Sequence, residues 1–263
     1  MTNRYSKATA REMPAALLRA VIRERAHHLL EGPLQRARRL DRMAEPKGKA
    51  TIQDLLDVWQ ERDLPTEGED LSWVRKLLNA HNYKDLENPT ETLDSAQLET
   101  VRTLLAERRS IRFWDARPVP RSMLEEIIRA GQWAPCACNL QTVRVLVIDD
   151  LQEASLFKGE VSGAPAQLVI CQDTRPYEFY HPGVPERNRG LDCGAAVQNM
   201  LLMAHALGLG AVWLTFTEKL IEWVRERYAI PAYLEIVTYV SVGWPAIHPI
   251  PPGRMELEAV LIG

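Results

Sequence analysis

The residues of this sequence best suited to chemistry are three arginines and a serine at positions 108–112. The run reads Arg108-Arg109-Ser110-Ile111-Arg112 and lies where a helical pattern gives way to an extended one. Arginine is always charged and presents a rigid fork of N–H donors, so this cluster suits a phosphate or another doubly charged oxyanion. A solvated helix end is the alternative interpretation of the same run.

A second group of polar side chains follows in the segment Trp133-Ala-Pro-Cys-Ala-Cys-Asn-Leu-Gln141. It is a turn of small residues that contains two amides, Asn139 and Gln141. Each amide supplies an acceptor and two donors, so the pair can bind the polar edge of a heteroaromatic ring. The sequence contains no Ser/His/Asp order, P-loop or zinc-protease motif. Groups for a phosphate and a ring, without an evident nucleophile, predict that a bound cofactor carries out the difficult step.

The elements that position these groups follow from hydrophobic spacing and capping residues. Asp94 or Ser95 begins a helix that ends at Glu107 and brings the arginine cluster to its C-terminal end. Ser122 is expected to cap the next helix. Residues 192–207 are apolar almost all round, which predicts a buried central helix. Strands are predicted at 143–148, 167–171, 211–214 and 235–242, and a long surface loop at 173–189.

The front third is predicted to be helical and carries no recognisable catalytic cluster. Apolar residues recur at three- and four-residue spacing from Met13 to about Met43, Gly32-Pro33 divides this stretch, and Thr51 caps a further helix. Residues 1–50 contain twelve Lys/Arg and five Asp/Glu. Such a basic end can bind a membrane, nucleic acid or an acidic partner, with a solvated helical face as the alternative. We predict a helical N-terminal extension at 1–93, with a possible protein partner, and a second domain at 94–263.

Composition narrows the class of protein. The 263 residues are 46% hydrophobic and 25% charged, with a net charge of -3, as in an ordinary globular protein, so nucleic acid is not expected as a partner. The four cysteines lack zinc-site spacing, and no metal is expected. The N-terminus resembles no signal peptide, and a membrane span is not predicted. Free thiols and these absences predict a cytoplasmic location.

Four motifs lie in order along the chain. They are Arg-Arg-Ser-Ile-Arg-Phe-Trp with Pro-Val-Pro after it, the segment 133–141, the stretch Asp192 to Trp213 with Gly-Ala-Ala-Val-Gln-Asn, and Val-Gly-Trp-Pro before Arg254. Together they resemble the FMN-dependent nitroreductase superfamily over roughly residues 96–263. The resemblance implies an α+β, nitroreductase-like fold with a central, mostly antiparallel sheet flanked by helices. It also implies an intertwined homodimer, with FMN at its interface and the helix 192–207 in its core.

The resemblance further implies a role for particular residues. The segment 108–112 would contact the FMN phosphate, ribityl chain and ring, and Arg254 would close on the phosphate. The two amides would hold the ribityl chain or ring edge, and backbone at 215–216 would approach the ring near N5. The implied cofactor contacts are Arg108, Arg109, Ser110, Arg112, Pro135, Cys136, Asn139, Gln141, Thr215, Phe216 and Arg254. The candidate substrate lid, with a mobile surface loop as its alternative, is Tyr177, Tyr180 and His181.

The sequence departs from the family pattern at two places. Cys136 stands where the family usually has Ser, so contact with FMN at this position would come from the backbone. The Cys136 side chain is then either an inert small group or a reactive thiol. Thr142-Val143 replaces the usual Pro-Trp. The resemblance implies hydride transfer through flavin N5 without a catalytic side chain, most directly from NAD(P)H to nitroaromatic or quinone-like acceptors.

Two alternatives remain at the level of sequence. One is an FMN enzyme with a dedicated substrate, such as a natural-product dehydrogenase or oxidase, or a reductive dehalogenase. The other is a non-catalytic binding module that uses the basic N-terminal segment.

Overall fold

The computed structural model describes residues 4–40, 42, 46–157, 163–180 and 185–262, with backbone alone at 85 and 185–189. The chain divides into two compact units. The front unit comprises Met1–Thr92, Pro135–Thr142 and Asp173–Asp192, and the sheet unit comprises Leu93–Ala134, Val143–Gln172 and Cys193–Gly263. The predicted domain division at 93/94 stays a prediction; in the structure, two later segments belong with the front helices.

Helices build most of the front unit. They are α1 Lys7–Glu12, α2 Ala15–Ala26, α3 Gly32–Arg39, α4 Lys49–Glu61 and α5 Glu69–Asn79. The predicted division at Gly32-Pro33 takes the form of a π-helical turn, His27–Glu31, in which the Gly32 N–H donates to the His27 carbonyl. Pro33 then occupies the first turn of α3, where a missing N–H is tolerated.

The front unit has its own apolar core. Leu18 and Ile22 of α2, Leu55 of α4 and Leu71 of α5 are fully buried against one another's helices. Burial of each such side chain contributes roughly 1.5–3 kcal/mol. The helical spacing that predicted these elements therefore marks the faces that pack together.

Ion pairs account for much of the basic composition of the first fifty residues. Five of the twelve Lys/Arg pair with acids of residues 54–87, so this part of the positive charge is neutralised within the front unit. The pairs are Lys7–Asp57, Arg11–Glu61, Arg19–Asp70, Arg23–Asp70 and Arg38–Glu87. This pairing reduces the cationic surface that a membrane or nucleic acid could contact.

The described residues of the sheet unit form a four-stranded sheet in the order β1-β2-β4-β3. The strands are β1 Val143–Ile148, β2 Ala166–Asp173, β3 Gly210–Leu214 and β4 Leu234–Gly243. The β1–β2 and β3–β4 pairs are antiparallel, with Val145 opposite Ile170 and Val212 opposite Ser241. All four predicted strands are present, each within two residues of its predicted ends.

The remaining helices are α6 Ser95–Glu107, α7 Arg121–Gln132, α8 Leu151–Ser155, α9 Arg175–Tyr180, α10 Pro185–Ala206 and α11 Glu218–Arg227. Helix α10 begins seven residues before its predicted start at Asp192 and ends one residue before Leu207. No helix within the described ranges combines the length and the apolar character that crossing a membrane requires. This mixture of helices and antiparallel strands agrees with the predicted α+β class.

Capping predictions had mixed outcomes. Asp94 accepts from the Gln97 N–H, and the Gln97 side chain accepts from the Asp94 N–H, so the predicted start of α6 is confirmed as a capping box. The predicted caps Thr51 and Ser122 are wrong. Helix α4 starts two residues before Thr51, after Gly48, and α7 starts after Pro120, whose fixed φ already suits the entry.

Candidate functional site

The arginine segment of the sheet unit is fixed by its backbone and by Ile111. Ser110 pairs with Ala211 beside β3, and the Ile111 N–H donates to the Ala211 carbonyl at 3.1 Å. The Ile111 side chain is buried against Gly210, where an added Cβ would lie 2.7 Å from it. Glycine at 210 therefore permits the close approach of the two backbones. These contacts to β3 use backbone atoms and the Ile111 side chain, and they leave the guanidiniums of Arg108 and Arg112 out.

Arg108 has two cations near it, Arg109 of the same segment and Arg254. Burial lowers the pKa of Arg108, and the neighbouring positive charges of Arg254 and Arg109 lower it further. Arg109 donates to the Ala106 and Arg108 carbonyls, and Arg254 donates to the Gly253 carbonyl. Within the described ranges no ion pair includes Arg108, Arg109, Arg112 or Arg254. Like charges held together in this way favour an anion, which would relieve their mutual repulsion.

Thr215 and Phe216 directly follow β3 in the sheet unit. Thr215 is exposed, and the ring of Phe216 is half-buried with its centroid 4.6 Å from that of Tyr239. Trp213 anchors the end of the same strand, since its indole N–H donates to the Thr238 hydroxyl at 2.6 Å. The backbone at the predicted N5 contact therefore has a rigid support on one side.

The segment Pro135–Thr142 belongs to the front unit and has an unusual backbone. Cys138, Asn139 and Gln141 all lie in the left-handed region, with φ of 50°, 52° and 50°. This conformation costs a non-glycine residue about 1–2 kcal/mol, less for asparagine. Three such residues within four positions persist only where the surroundings hold them.

Contacts at three successive places hold this segment. The Ala137 N–H donates to Asp192 Oδ1 at 3.2 Å, and the guanidinium of Arg23 donates to the Leu140 carbonyl at 2.6 Å and to the Asn139 carbonyl at 3.3 Å. Leu140 is fully buried in the core of the front unit. The predicted amides also contact each other, since Gln141 Nε2 donates to Asn139 Oδ1 at 2.9 Å.

Arg23 and Asp70 are residues that sequence reasoning missed. Arg23 Nη1 donates to Asp70 Oδ2 at 2.9 Å, and Arg19 donates to the same carboxylate. Burial alone would raise the pKa of Asp70, but the two guanidiniums outweigh burial and hold it well below its usual range. No local motif signals this pair, because Arg23 meets partners 47 and 117 residues away in the chain.

The two cysteines of the segment are poor thiolates. Burial raises the pKa of Cys136, and burial likewise raises that of Cys138, whose Sγ lies 4.0 Å from His28 Nε2. A raised pKa lowers the thiolate fraction at neutral pH, and the thiolate is the reactive form. The structure thus favours an inert small residue at 136 over a reactive thiol.

The predicted surface loop at 173–189 is wrong for its described residues. Residues 175–180 form α9, and both Tyr177 and Tyr180 are buried in the front unit. The Tyr177 hydroxyl donates to Asp192, and that of Tyr180 donates to the Val21 carbonyl at 3.2 Å. A tyrosine ring can be buried among helices when its hydroxyl has a hydrogen-bond partner. The aromatic and proline content of the segment does not reveal whether such a partner exists. The lid role stays a prediction, and His181 lies outside the described residues.

The described residues offer no second candidate site that is better supported than this one. A surface depression of about 390 Å³ lies on α5 and is lined by none of the predicted site residues. Groups of three or more His, Cys, Asp or Glu suited to a metal ion are absent from the described part of the chain.

Comparison with known proteins identifies the fold. A family model described as the nitroreductase family matches residues 105–161 and 155–244. A protein of Methanothermobacter thermautotrophicus named NADH dehydrogenase/NAD(P)H nitroreductase is 30% identical over 174 residues, 61% of this chain and 86% of the relative.

Solved structures give the same result. A nitroreductase of Desulfovibrio desulfuricans in complex with FMN aligns with a TM-score of 0.52 at 32% identity, covering 65% of this chain and 98% of that one. The NADPH:FMN oxidoreductase of Vibrio harveyi in complex with NAD+ aligns with a TM-score of 0.53 at 25% identity, covering 62% and 76%. The predicted nitroreductase-like α+β fold is confirmed. Because the family model matches more than half of its length, this chain belongs to the nitroreductase family, a family of oxidoreductases.

Proposed function

We propose that this chain is an FMN-dependent oxidoreductase that takes hydride from NAD(P)H and passes it to a nitroaromatic or quinone-like small molecule. The observation that carries the proposal is the grouping of Arg108, Arg109 and Arg254, which form no ion pair with an acid among the described residues. Burial lowers the pKa of Arg108, and the charges of Arg254 and Arg109 lower it further. A phosphate monoester, with up to two negative charges, fits such a cluster. The relatives named for FMN and NAD(P)H chemistry support the choice of cofactor and reductant.

Each set of residues has a role in this proposal. The arginines of 108–112 and Arg254 bind the phosphate, and the backbone after β3 at Thr215 and Phe216 lies against the ring. The amides of Asn139 and Gln141 donate to and accept from polar atoms of the ribityl chain or ring edge. When bound, FMN supplies the N5 atom that accepts and donates hydride. The chain's own residues bind and orient the cofactor and keep water away from it. No side-chain acid or base is required.

A homodimer is part of the proposal. Leu98, Val101 and Leu105 form an apolar stripe on α6, yet α6 has no buried residue. The C-terminal tail also exposes large apolar side chains, among them Ile250 and Leu261. Exposed apolar surface of this extent is typical of a surface that another chain covers. A second copy of the chain is the partner that the family resemblance implies.

A dedicated substrate is the second candidate. The front unit favours it, because helices outside the residues matched by the family model hold the segment that carries Asn139 and Gln141. In that case the enzyme binds FMN and exchanges hydride with one particular substrate instead of reducing many acceptors. A cytoplasmic location also stays part of the proposal, and the four free cysteines agree with a reducing compartment.

The test is the visible absorbance spectrum of the purified protein, before and after anaerobic addition of NADPH. The proposal expects flavin absorbance that bleaches with NADPH and returns on addition of a quinone. Flavin absorbance that stays unchanged with both NADPH and NADH would favour the dedicated substrate. A colourless protein that does not take up added FMN would rule out both.

A further inference from the structure

A buried charge in the front unit contacts the segment that carries the predicted amide ligands. Arg23 lies on α2 and is only 4% exposed. Among the contacts of its guanidinium are the carboxylate of Asp70 and the carbonyls of Asn139 and Leu140. A buried arginine is costly to desolvate and persists where its donors are used. Here the guanidinium donates hydrogen bonds to one carboxylate and to the backbone of one segment.

The contacted segment needs an external hold. Its left-handed residues, Cys138, Asn139 and Gln141, lie on both sides of the buried Leu140. The two carbonyls that Arg23 binds belong to the middle of this strained stretch, at Asn139 and Leu140. Removal of these bonds would leave the left-handed backbone free to relax toward ordinary conformations.

Arg23 is itself held in place. Asp70 accepts from both Arg19 and Arg23, with a distance of 2.6 Å to Arg19 Nη2 and 2.9 Å to Arg23 Nη1. The position of the Arg23 guanidinium is therefore set by α5 on one side and by the segment on the other. Flexible surface arginines lack such a double constraint.

We propose that Arg23 is a positioning residue for ligand binding: the front helices of this chain, through Arg23, hold residues 137–141 in the conformation that presents Asn139 and Gln141 to the flavin. The inference rests on the proposed function, since it takes the flavin as the ligand. It assigns to α2, which precedes the residues matched by the family model, a direct part in forming the binding site.

The test compares Arg23→Ala with Arg62→Ala in the full chain. Arg62 is a matched control, since it also lies in the front unit and donates to backbone carbonyls, those of Met13 and Ala10, without touching the segment. Amide hydrogen exchange of residues 137–141 in the flavin-free protein measures the hold, and fluorescence titration with FMN measures affinity. We expect Arg23→Ala to speed exchange in the segment and to raise the Kd for FMN roughly tenfold or more. Arg62→Ala should change neither by more than about twofold.

Each outcome decides the inference. An unchanged Kd in folded Arg23→Ala protein overturns it, even if exchange becomes faster. If Arg23→Ala does not fold, Arg23→Lys decides, because a lysine keeps the charge beside Asp70 but lacks the fork that spans the two carbonyls. Wild-type behaviour of Arg23→Lys in both measurements then overturns the inference. If the wild-type protein binds no FMN, the proposed function is overturned, and this inference with it. That failure is visible in the wild type alone, whereas failure of the inference is visible only in the Arg23 variants.

Discussion

Two segments of this chain carry the predicted ligand groups, and they differ in what holds them. Residues 108–112 of the sheet unit have a backbone bonded to β3 and guanidiniums without an ion pair to any acid that the structure describes. Residues 137–141 of the front unit have a strained backbone with several hydrogen-bond partners. The guanidiniums of the first segment are therefore available to bind an anion. The second uses protein contacts to fix a conformation that its own residues disfavour. Affinity should therefore depend on side chains in the first segment and on remote supports in the second.

The largest effect is expected in the arginine segment. Arg108→Ala combined with Arg112→Ala removes two charge-assisted contacts to a phosphate, which should weaken FMN binding by ~4 kcal/mol, or roughly 1000-fold. Flavin absorbance per protein after gel filtration measures the loss. Arg121→Ala with Arg129→Ala removes two exposed cations of α7 and serves as the control. Full flavin content in the Arg108/Arg112 variant would show that the phosphate site is elsewhere.

A somewhat smaller effect, on stability, is expected from the support of the second segment. Asp70→Asn leaves the buried Arg23 without its carboxylate and should lower the free energy of unfolding by about 3 kcal/mol at pH 7. Because the folded-state pKa of Asp70 is depressed, its contribution is present above the unfolded value near 4 and declines as pH falls below it.

Urea unfolding of wild type and Asp70→Asn over a pH series measures this effect. The difference between the two proteins should be greatest at neutral pH and shrink in acid. A difference independent of pH would mean that the carboxylate's charge is not what stabilises the front unit.

Backbone strain in the second segment predicts an effect of about 1 kcal/mol. Asn139→Gly and Asn139→Ala both remove the side-chain contact to Gln141, but only alanine is penalised at φ of 52°. The alanine variant should therefore be less stable than the glycine variant by about 1 kcal/mol. Chemical denaturation of both measures it, and equal stability would contradict a left-handed residue at 139.

The smallest effect is expected at Cys136. If backbone contacts at 137, 139 and 140 set the segment's position, Cys136→Ser should change FMN affinity by less than about threefold. Fluorescence titration and NADPH oxidation rates measure the change. Lost activity with retained flavin would instead identify Cys136 as a reactive thiol.

Patterns within a few residues of one another were read correctly from the sequence. The capping box of Asp94 and Gln97 and the four strands depend on local spacing and hydrogen bonding. The motif order placed the chain in its family for the same reason. The tyrosines at 177 and 180 were misread as part of a surface loop, because their hydroxyl partners Asp192 and Val21 lie far along the chain or on another helix.

The sequence by itself determined the family, the strands and the cationic segment, since each depends on residue types at short spacing. Only the tertiary structure decided that Arg19 and Arg23 share the carboxylate of Asp70 and that Arg23 reaches Asn139 and Leu140. Such contacts join residues 47 to 117 positions apart. They form because burial of the α2 face brings the Arg23 guanidinium to the backbone of a strained segment. No periodicity or local motif in the sequence predicts this contact between Arg23 and the segment.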